Sequence, residues 1–411
     1  MKRLVPLILS TAVIFLYSGA AFCEDDGDWP PRNDGPAIAV ILGPEGYGGG
    51  LGWTFWDLGK EGRDLFLYPI VADTDYRLYF MDYREPGLVR PEDGENLSFR
   101  AFYQKRTGTH FFGVGPDAEI EDGAFYQREN YLFKLEYTFP FTKYFGFTGG
   151  IGYDRTVPRA STLDLDDLTF TEDYSDLDRP LDDVYPGLFD SRDFKDEYNH
   201  FWSVSLWFDN RQGPRGFPTG GGCLKGMASR IDEGQGADWN YWRYTIDAAM
   251  FAPVVDDYNI VALHMRWDRL DGRNIPFYKL PSLGQARFST GYVLDGNAMR
   301  GVWENLWADR NRALASIEFR RRIKADWYPD NLREREWPMD FDPEEFIKNA
   351  AVFSWVDAGQ VWPDDEELED LRASFGIGAV LYFDHGMNQQ ITLGFSDDLS
   401  AYMLFTYGMQ F

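Results

Sequence analysis

Few residues of this sequence have the types and spacing that catalysis requires. The four histidines, His110, His200, His264 and His385, lie far apart, and none belongs to a His-Glu-x-x-His pair of metal ligands. No Gly-x-Ser-x-Gly nucleophile turn and no phosphate-binding loop occurs. The glycine run 46–50 joins two predicted strands and begins no helix, so it does not match a dinucleotide-binding loop. The sequence therefore predicts no catalytic residue, no metal site and no cofactor.

One strongly acidic segment, 157–198, has residues suited to another chemistry. Between Ser161 and His200 there are thirteen Asp and Glu residues and three basic ones. Carboxylates at this density are ligands for Ca²⁺ or Mg²⁺, which would bridge lipopolysaccharide phosphates. The same composition is also typical of a solvated loop that self-repulsion keeps extended. We favour the solvated loop, because no Asp-x-Asp-x-Asp-Gly calcium loop is present.

The elements that must position any functional residue are strands. Counting back from Phe411, every second residue is apolar as far as Ala401, whereas Gln410, Gly408 and Thr406 fall between them. This is the period of a strand with one apolar and one polar face. A final strand that ends on an aromatic residue is typical of a Gram-negative outer-membrane barrel, where the terminal Phe lies in the periplasmic girdle. The alternative is the last strand of a soluble β-protein.

The whole chain reads as alternating segments separated by Gly, Pro, Asp and Asn clusters. These segments predict an all-β fold, a transmembrane antiparallel β-barrel of about sixteen strands. Their even number fits a barrel with both termini in the periplasm. Long connections at 108–123, 157–198 and 272–309 then lie outside. The predicted strands are 37–43, 49–58, 63–72, 76–85, 95–107, 124–139, 143–156, 199–210, 222–232, 238–252, 258–271, 310–323, 349–362, 371–383, 388–397 and 401–411.

The beginning of the sequence predicts export. Lys2 and Arg3 precede an apolar run, and small residues follow before Cys23, so 1–23 is interpreted as a signal peptide. Lipidation of Cys23 is an alternative, although Phe22 stands where a lipobox requires Gly, Ala or Ser. Residues 24–36 are predicted to be a short, acidic, disordered lead, and 37–411 the barrel.

Composition excludes several classes of protein. Aromatic residues make up 17% of the chain, an excess that suits two aromatic belts. Mean hydropathy is −0.42, and no segment after residue 23 is apolar for the eighteen residues that a spanning helix needs. The net charge of −27 argues against nucleic acid as a partner, because phosphates would be repelled.

Particular stretches resemble the bacterial surface antigen superfamily, the BamA and TamA outer-membrane assembly and translocation proteins. A turn of the form Asp-x-Arg…Phe-Pro-Thr-x-Gly is similar to one in that family, as are a Phe-Phe-Gly-Val-Gly element and the stretches around the sixth outer loop and the twelfth and thirteenth strands. The resemblance covers nearly the whole mature length. The stretches are 207–221, 111–115, 275–284, 299–302, 309–311, 315–320 and 352–359.

The resemblance implies a set of site residues. In the family the sixth outer loop folds into the barrel, and the Arg at its tip pairs with an Asp of the thirteenth strand; these positions are Arg300 and Asp357. Gly301 would let the tip turn tightly, and Glu318 is a further carboxylate of the twelfth-strand motif. Val302 departs from the family, because an aromatic residue usually stands there.

The implied function is insertion or translocation of a polypeptide, or of a lipid, at the Gram-negative outer membrane. The first strand, ending at Gly43, would form a weak seam with the last strand, which ends at Phe411. Only 24–36 precede the barrel, so we expect no POTRA domain in the chain. Expected partners are outer-membrane lipids and lipopolysaccharide, client polypeptides and a separate periplasmic POTRA-type protein. A passive pore or structural barrel is the alternative, and an enzyme assembled across strands is a third hypothesis.

Overall fold

The chain forms one antiparallel sheet of sixteen long strands in a computed structural model. Apart from 16–17 and 35–36, the predicted signal peptide and lead lie outside the described residues. The structure describes residues 16–17, 35–43, 46–55, 57–59, 62–72, 76–87, 89, 94–119, 123–160, 181–185, 197–213, 217–235, 237, 239–273, 275–284, 298–303, 305–323, 350–364, 371–382, 388–396 and 401–407.

The strands follow one another around the sheet in chain order, each antiparallel to the next. They are β1 Gly35–Gly43, β2 Gly46–Phe55, β3 Asp64–Ala72, β4 Arg77–Pro86, β5 Asn96–Phe111, β6 Ala124–Thr142, β7 Phe145–Ala160, β8 Glu197–Asp209, β9 Gly221–Ile231, β10 Asn240–Pro253, β11 Asn259–Arg273, β12 Asn311–Arg322, β13 Ala350–Trp362, β14 Arg372–Tyr382, β15 Asn388–Ser396 and β16 Ala401–Tyr407.

The order of strands places β16 beside β1, so that the sheet closes on itself. Closure gives each of the sixteen described strands a neighbour on both sides, which is how large antiparallel sheets avoid edge-to-edge aggregation. A two-residue segment, Leu16–Tyr17, also pairs with β1, opposite Ala37 and Ile38. The predicted all-β barrel of sixteen strands is confirmed. No helix in the described part of the chain is long and apolar enough to cross a membrane.

Two strands continue four residues further than predicted. β5 was expected to end at 107, but it runs to Phe111 because a register shift between Arg106 and Thr109 absorbs the irregularity. β7 was expected to end at 156, yet Pro158 stays in register opposite Arg128 and the strand ends at Ala160. Proline and the Thr-Gly pair at 107–108 are ordinary strand-ending signals, so local reading placed both ends too early.

The two faces of the sheet have the opposite character to those of a soluble protein. On β12, the outward side chains of Ile317 and Phe319 are 48% and 41% exposed, whereas Ser316, Glu318 and Arg320 are buried. Apolar groups facing out and polar groups facing in are the pattern of a barrel that lies in lipid. On β12 the sequence therefore places Glu318 and Arg320 in the interior, where partners must compensate their charges.

Connections at one end of the barrel are longer than most at the other. This long-loop end includes the connections after β5, β7 and β11, while β6–β7 and β10–β11 join through short turns at the opposite, short-turn end. A four-residue helix, Leu181–Val184, lies in the connection after β7, and a 3₁₀ turn, Phe277–Lys279, lies in the one after β11.

An apolar cluster fills part of the interior, formed by side chains from β3 to β11. Ile275 and Leu280, from the connection after β11, pack against it. Its buried members are Phe66, Ile70, Tyr76, Leu78, Phe80, Phe102, Leu132, Phe201, Ile231, Ala237, Trp239, Tyr241 and Leu270.

Candidate functional site

Arg300, in the connection between β11 and β12, is held by Asp357 of β13. Its Nε donates to Asp357 Oδ2 at 2.9 Å and its Nη2 to Oδ1 at 2.6 Å. The backbone N–H of Arg300 also donates to Oδ2, at 3.0 Å. Three bonds to one carboxylate fix both the side chain and the backbone of the loop at this point.

The other edge of the Arg300 guanidinium contacts β12. Nη1 donates to Glu318 Oε1, and Nη2 to Ser316 Oγ at 2.8 Å. Glu318 also accepts from Arg320 Nε at 2.6 Å. With Asp357, the group contains two arginines and two carboxylates, so its formal charges balance. Burial of this group is tolerated because each charge has a hydrogen-bonded partner of opposite sign.

Strand geometry explains why these acceptors converge. Ser316 and Asp357 are direct cross-strand partners, and Glu318 lies opposite Trp355. Alternation along β12 and β13 turns all four side chains to the interior. The Trp355 ring centroid lies 4.4 Å from Arg300 Cζ, a distance at which the indole face attracts the cation. The structure thus brings together Arg300, Asp357 and Glu318.

Gly301 lies where the loop tip touches the sheet. Its φ is +77°, in the left-handed region that favours glycine. A Cβ at this position would lie 3.1 Å from the backbone carbon of Gly394, and a Cβ on Gly394 would lie 2.9 Å from the Cα of Gly301. The backbones therefore meet without an intervening side chain. Gly394 belongs to β15 and is paired with Tyr402 of β16.

We predict that Gly301→Val lowers the stability of the folded barrel. Valine pays about 1–3 kcal/mol for the left-handed backbone and would also be forced against Gly394. The measurement is the temperature at which the compact band of the purified protein is lost on a gel. Gly226→Val is the matched control, because a Cβ there meets nothing within 4 Å. Equal effects of the two substitutions would contradict the close contact.

Trp303 occupies space near the loop tip, next to the position where Val302 replaces the family's usual aromatic residue. Its ring centroid lies 5.3 Å from that of His110 and 6.4 Å from that of Phe112. Val302 is buried in an apolar cluster that also contains Trp303 and Met299. The tip is thus packed by an aromatic residue one position later.

The start of the same connection contacts a different part of the barrel wall. Phe277 packs on Phe111 and Tyr126, with ring centroids 4.4 and 5.5 Å away. Lys279 Nζ donates to Asp154, an inward residue of β7. Through its described residues, the connection therefore contacts β5 to β7 as well as β12, β13 and β15. The residues of the Lys279–Asp154 pair lie 125 positions apart, so no local sequence signal indicates it.

A second buried charge cluster surrounds Asp268 of β11, which is fully buried. Arg312 Nε and Arg266 Nε donate to its Oδ2 at 3.0 and 2.8 Å, and Arg243 Nη2 lies 3.7 Å from Oδ1. Arg312 Nη1 donates to the backbone oxygen of Ser282 at 2.6 Å, which ties this cluster to the loop. The sequence analysis missed it. The only signal was Arg266-x-Asp268, two charges on the same face of a predicted strand.

Other predicted site positions lie apart from this group. Gly43 pairs with Gly46 at the turn between β1 and β2, and Phe411 lies outside the described residues. Cys23 and most of the acidic segment 157–198 also lie outside them. Within the described ranges, no group of three or more His, Cys, Asp or Glu side chains could hold a metal ion.

Comparisons with known proteins agree with this architecture. A family model, described as the Omp85 superfamily domain, matches residues 70–387. The fold is similar to BamA from Haemophilus ducreyi lacking POTRA domains 1–3, with a TM-score of 0.54 and 16% identity over 96% of this chain and 74% of that one. It is also similar to CdiB from Escherichia coli, with a TM-score of 0.54 and 11% identity over 96% of this chain and 66% of that one. At these identities the structural likeness concerns the fold alone.

Proposed function

Because the chain belongs to the Omp85 superfamily of outer-membrane β-barrels, we propose that it inserts or translocates a polypeptide, or a lipid, at the Gram-negative outer membrane. The observation that carries the proposal is the contact of the loop tip at Gly301 with Gly394 of β15. β15 pairs with β16, and β16 lies beside β1, so the loop touches the wall one strand away from the seam.

The proposed mechanism uses the seam between β1 and β16. When two neighbouring strands part, each presents a row of N–H and C=O groups that an incoming strand can pair with. β1 and β16 have nine and seven described residues, against nineteen for β6, so fewer ladder bonds have to break there. Gly43 lies at the end of the first seam strand, and Phe411 follows the last one.

The Arg300 group has a positioning role in this proposal. Asp357 and Glu318 fix the guanidinium from two adjacent strands, and Gly301 brings the tip against β15. The connection after β11, which is the sixth outer loop, would then lie folded into the barrel. There it would stabilise the strands beside the seam while the seam is closed. Partners in this reading are client polypeptides, outer-membrane lipids and lipopolysaccharide, and a periplasmic POTRA-type protein.

A reversible disulfide across the seam tests the proposal. Cysteine pairs placed between 35–43 and 401–407, in a chain with Cys223→Ser, are screened for those that oxidise. We expect the oxidised protein to lose insertion of a barrel client into lipid vesicles, and reduction to restore it. The control disulfide joins positions 317 and 356, direct outward neighbours on β12 and β13 away from the seam. Full client insertion by the protein with an oxidised seam disulfide would contradict the proposal that the seam opens sideways.

The passive-pore alternative makes a different electrical prediction. In a planar bilayer, we expect the wild type to conduct little, because the connection after β11 contacts both sides of the interior. Arg300→Ala should raise the conductance by releasing the loop from β12 and β13. A large, steady wild-type conductance that Arg300→Ala leaves unchanged would favour the pore. Turnover of a lipid ester by the purified chain would favour the enzyme.

A further inference from the structure

A row of four tyrosines and one arginine crosses the outward face of five successive strands near the long-loop end. Tyr79 of β4 lies opposite Tyr103 of β5, which lies opposite Tyr131 of β6. Tyr131 lies opposite Arg155 of β7, and Arg155 opposite Tyr198 of β8. Adjacent rings are in contact, with centroids 5.6 Å apart for the first pair and 4.8 Å apart for the second.

Arg155 is the one cation in this row and lies between two rings. Its Cζ is 5.5 Å from the ring centroid of Tyr131 and 4.8 Å from that of Tyr198. Ile151, on the same face of β7, is 62% exposed, whereas Asp154 points inward to Lys279. The guanidinium therefore belongs to the surface that faces lipid.

The same arrangement recurs on the next strands. Arg230 of β9 lies opposite Trp202 of β8 on one side and Trp242 of β10 on the other. Its Cζ is 5.3 Å from the Trp242 ring, and the two indoles are themselves in contact, with centroids 5.1 Å apart. Leu224, on the same face of β9, is 49% exposed. Arg155 and Arg230 thus have the same arrangement, in which aromatic residues of both neighbouring strands flank the cation.

The position of Arg155 along the barrel corresponds to the height of a membrane interface. Phe141 and Phe145, at the short-turn end, form an aromatic contact 5.4 Å apart. Arg155 follows Phe145 by ten residues, which in a strand tilted by about 40° is a rise of about 25 Å. That rise equals the typical height of the apolar band of an outer-membrane barrel. The residues between, such as Ile151 and Leu135, are exposed and apolar.

We propose that Arg155 and Arg230 bind the phosphate groups of a phosphorylated lipid in the outer leaflet. A guanidinium offers its N–H groups in one plane and matches a phosphate with two parallel bonds. The neighbouring aromatic rings restrict the movement of each guanidinium. Arg77 and Lys105, paired in register one step nearer the long-loop end, add positive charge above the row. The proposal rests on the membrane position of the barrel and not on a transport role.

Two carboxylates near the aromatic contacts of these arginines would compete with a phosphate. Glu129 accepts from the Tyr131 hydroxyl at 3.1 Å and lies 3.9 Å from Arg159. Asp232 lies 3.8 Å from Arg230 Nε, a longer separation than a direct hydrogen bond. A doubly charged phosphate within hydrogen-bond distance would therefore interact with Arg230 more strongly than Asp232 does.

The test is a lipid-binding titration of the full chain in detergent, read by native mass spectrometry. The probes are a bisphosphorylated lipid A and the same lipid with its phosphates removed. We expect the wild type to bind the phosphorylated lipid at least about tenfold more tightly, and Arg155→Gln and Arg230→Gln each to weaken it by about tenfold. Arg155→Lys, which keeps the charge but loses the planar fork, should fall between wild type and Arg155→Gln.

Arg321→Gln is the matched control, since Arg321 is exposed and lies opposite Val352 on the outward face at the short-turn end. It should leave lipid binding unchanged. Equal affinity of the wild type for the two lipids would overturn the proposal, even if the arginine variants failed to fold. A loss with Arg321→Gln as large as that with Arg155→Gln would also overturn it. Because client insertion is not measured, either result is independent of the proposed transport function.

Discussion

Arg300→Ala is expected to lower the free energy of unfolding by about 3–5 kcal/mol. The substitution leaves the Asp357 carboxylate, which is 1% exposed, without the guanidinium that gives it two side-chain hydrogen bonds. It also removes one of the two arginines that contact Glu318. The measurement is urea unfolding of the barrel reconstituted in lipid vesicles, followed by tryptophan fluorescence.

Two further variants make this prediction specific. Asp357→Asn in the Arg300→Ala background removes the uncompensated charge and should recover part of the loss, which appears as a coupling energy of about 1–3 kcal/mol. Arg63→Ala is the comparison for an exposed pair: Arg63 contacts Glu85 at 2.7 Å, with both side chains about a third exposed. It should cost much less than Arg300→Ala, because solvent screens the exposed pair. If Arg300→Ala cost no more than Arg63→Ala, the buried group would not hold the loop.

Asp268→Asn is expected to cost at least as much as Arg300→Ala, about 3–5 kcal/mol. The change preserves the shape of the side chain but removes the negative charge shared by Arg243, Arg266 and Arg312. Three guanidiniums would then repel one another in the interior, although the Asp247 carboxylate lies 3.4 Å from Arg266. The same urea titration measures the loss.

Removing a cation should rescue the Asp268→Asn protein. Arg266→Met in that background relieves one repulsion and is expected to restore about 1 kcal/mol or more. Asp364→Asn is the control for a charge of the same type at the surface, where Asp364 is partly exposed and accepts from Arg310 at 3.1 Å. An Asp268→Asn chain as stable as the Asp364→Asn chain would show that the three arginines do not depend on the carboxylate.

The strands could be predicted from the sequence because their signal is local. Alternation with a period of two, broken by turn residues, is a property of each segment by itself, and it located all sixteen strands to within a few residues at most ends. It failed at Arg106–Thr109 and at Pro158, where pairing with β6 continues the ladder past residues that usually end one. The signal peptide at 1–23 and the lead at 24–36 stay predictions.

The site could not be predicted in the same way, because it is formed by residues distant in the chain. Arg300 and Asp357 lie 57 positions apart, and only the family resemblance paired them. The Asp268 cluster had no such guide, since Arg312 and Asp268 look like two of many charges on inward strand positions. Contacts of this kind depend on where the barrel closes and on the path of the connection after β11, which no local pattern specifies.

The path of that connection has a consequence for the order of assembly. Lys279 contacts β7, which precedes it in the chain, whereas Arg300 needs Asp357 and Gly301 needs Gly394, both of which follow in the chain. The Lys279–Asp154 contact can form before the later strands join the sheet. The contacts of Arg300 and Gly301 require β13 and β15 to be in place. Docking of the tip therefore follows the addition of β15, the last strand but one. Cysteine cross-links at 154–279 should appear before those at 300–357 during refolding, and simultaneous appearance would contradict this sequence of events.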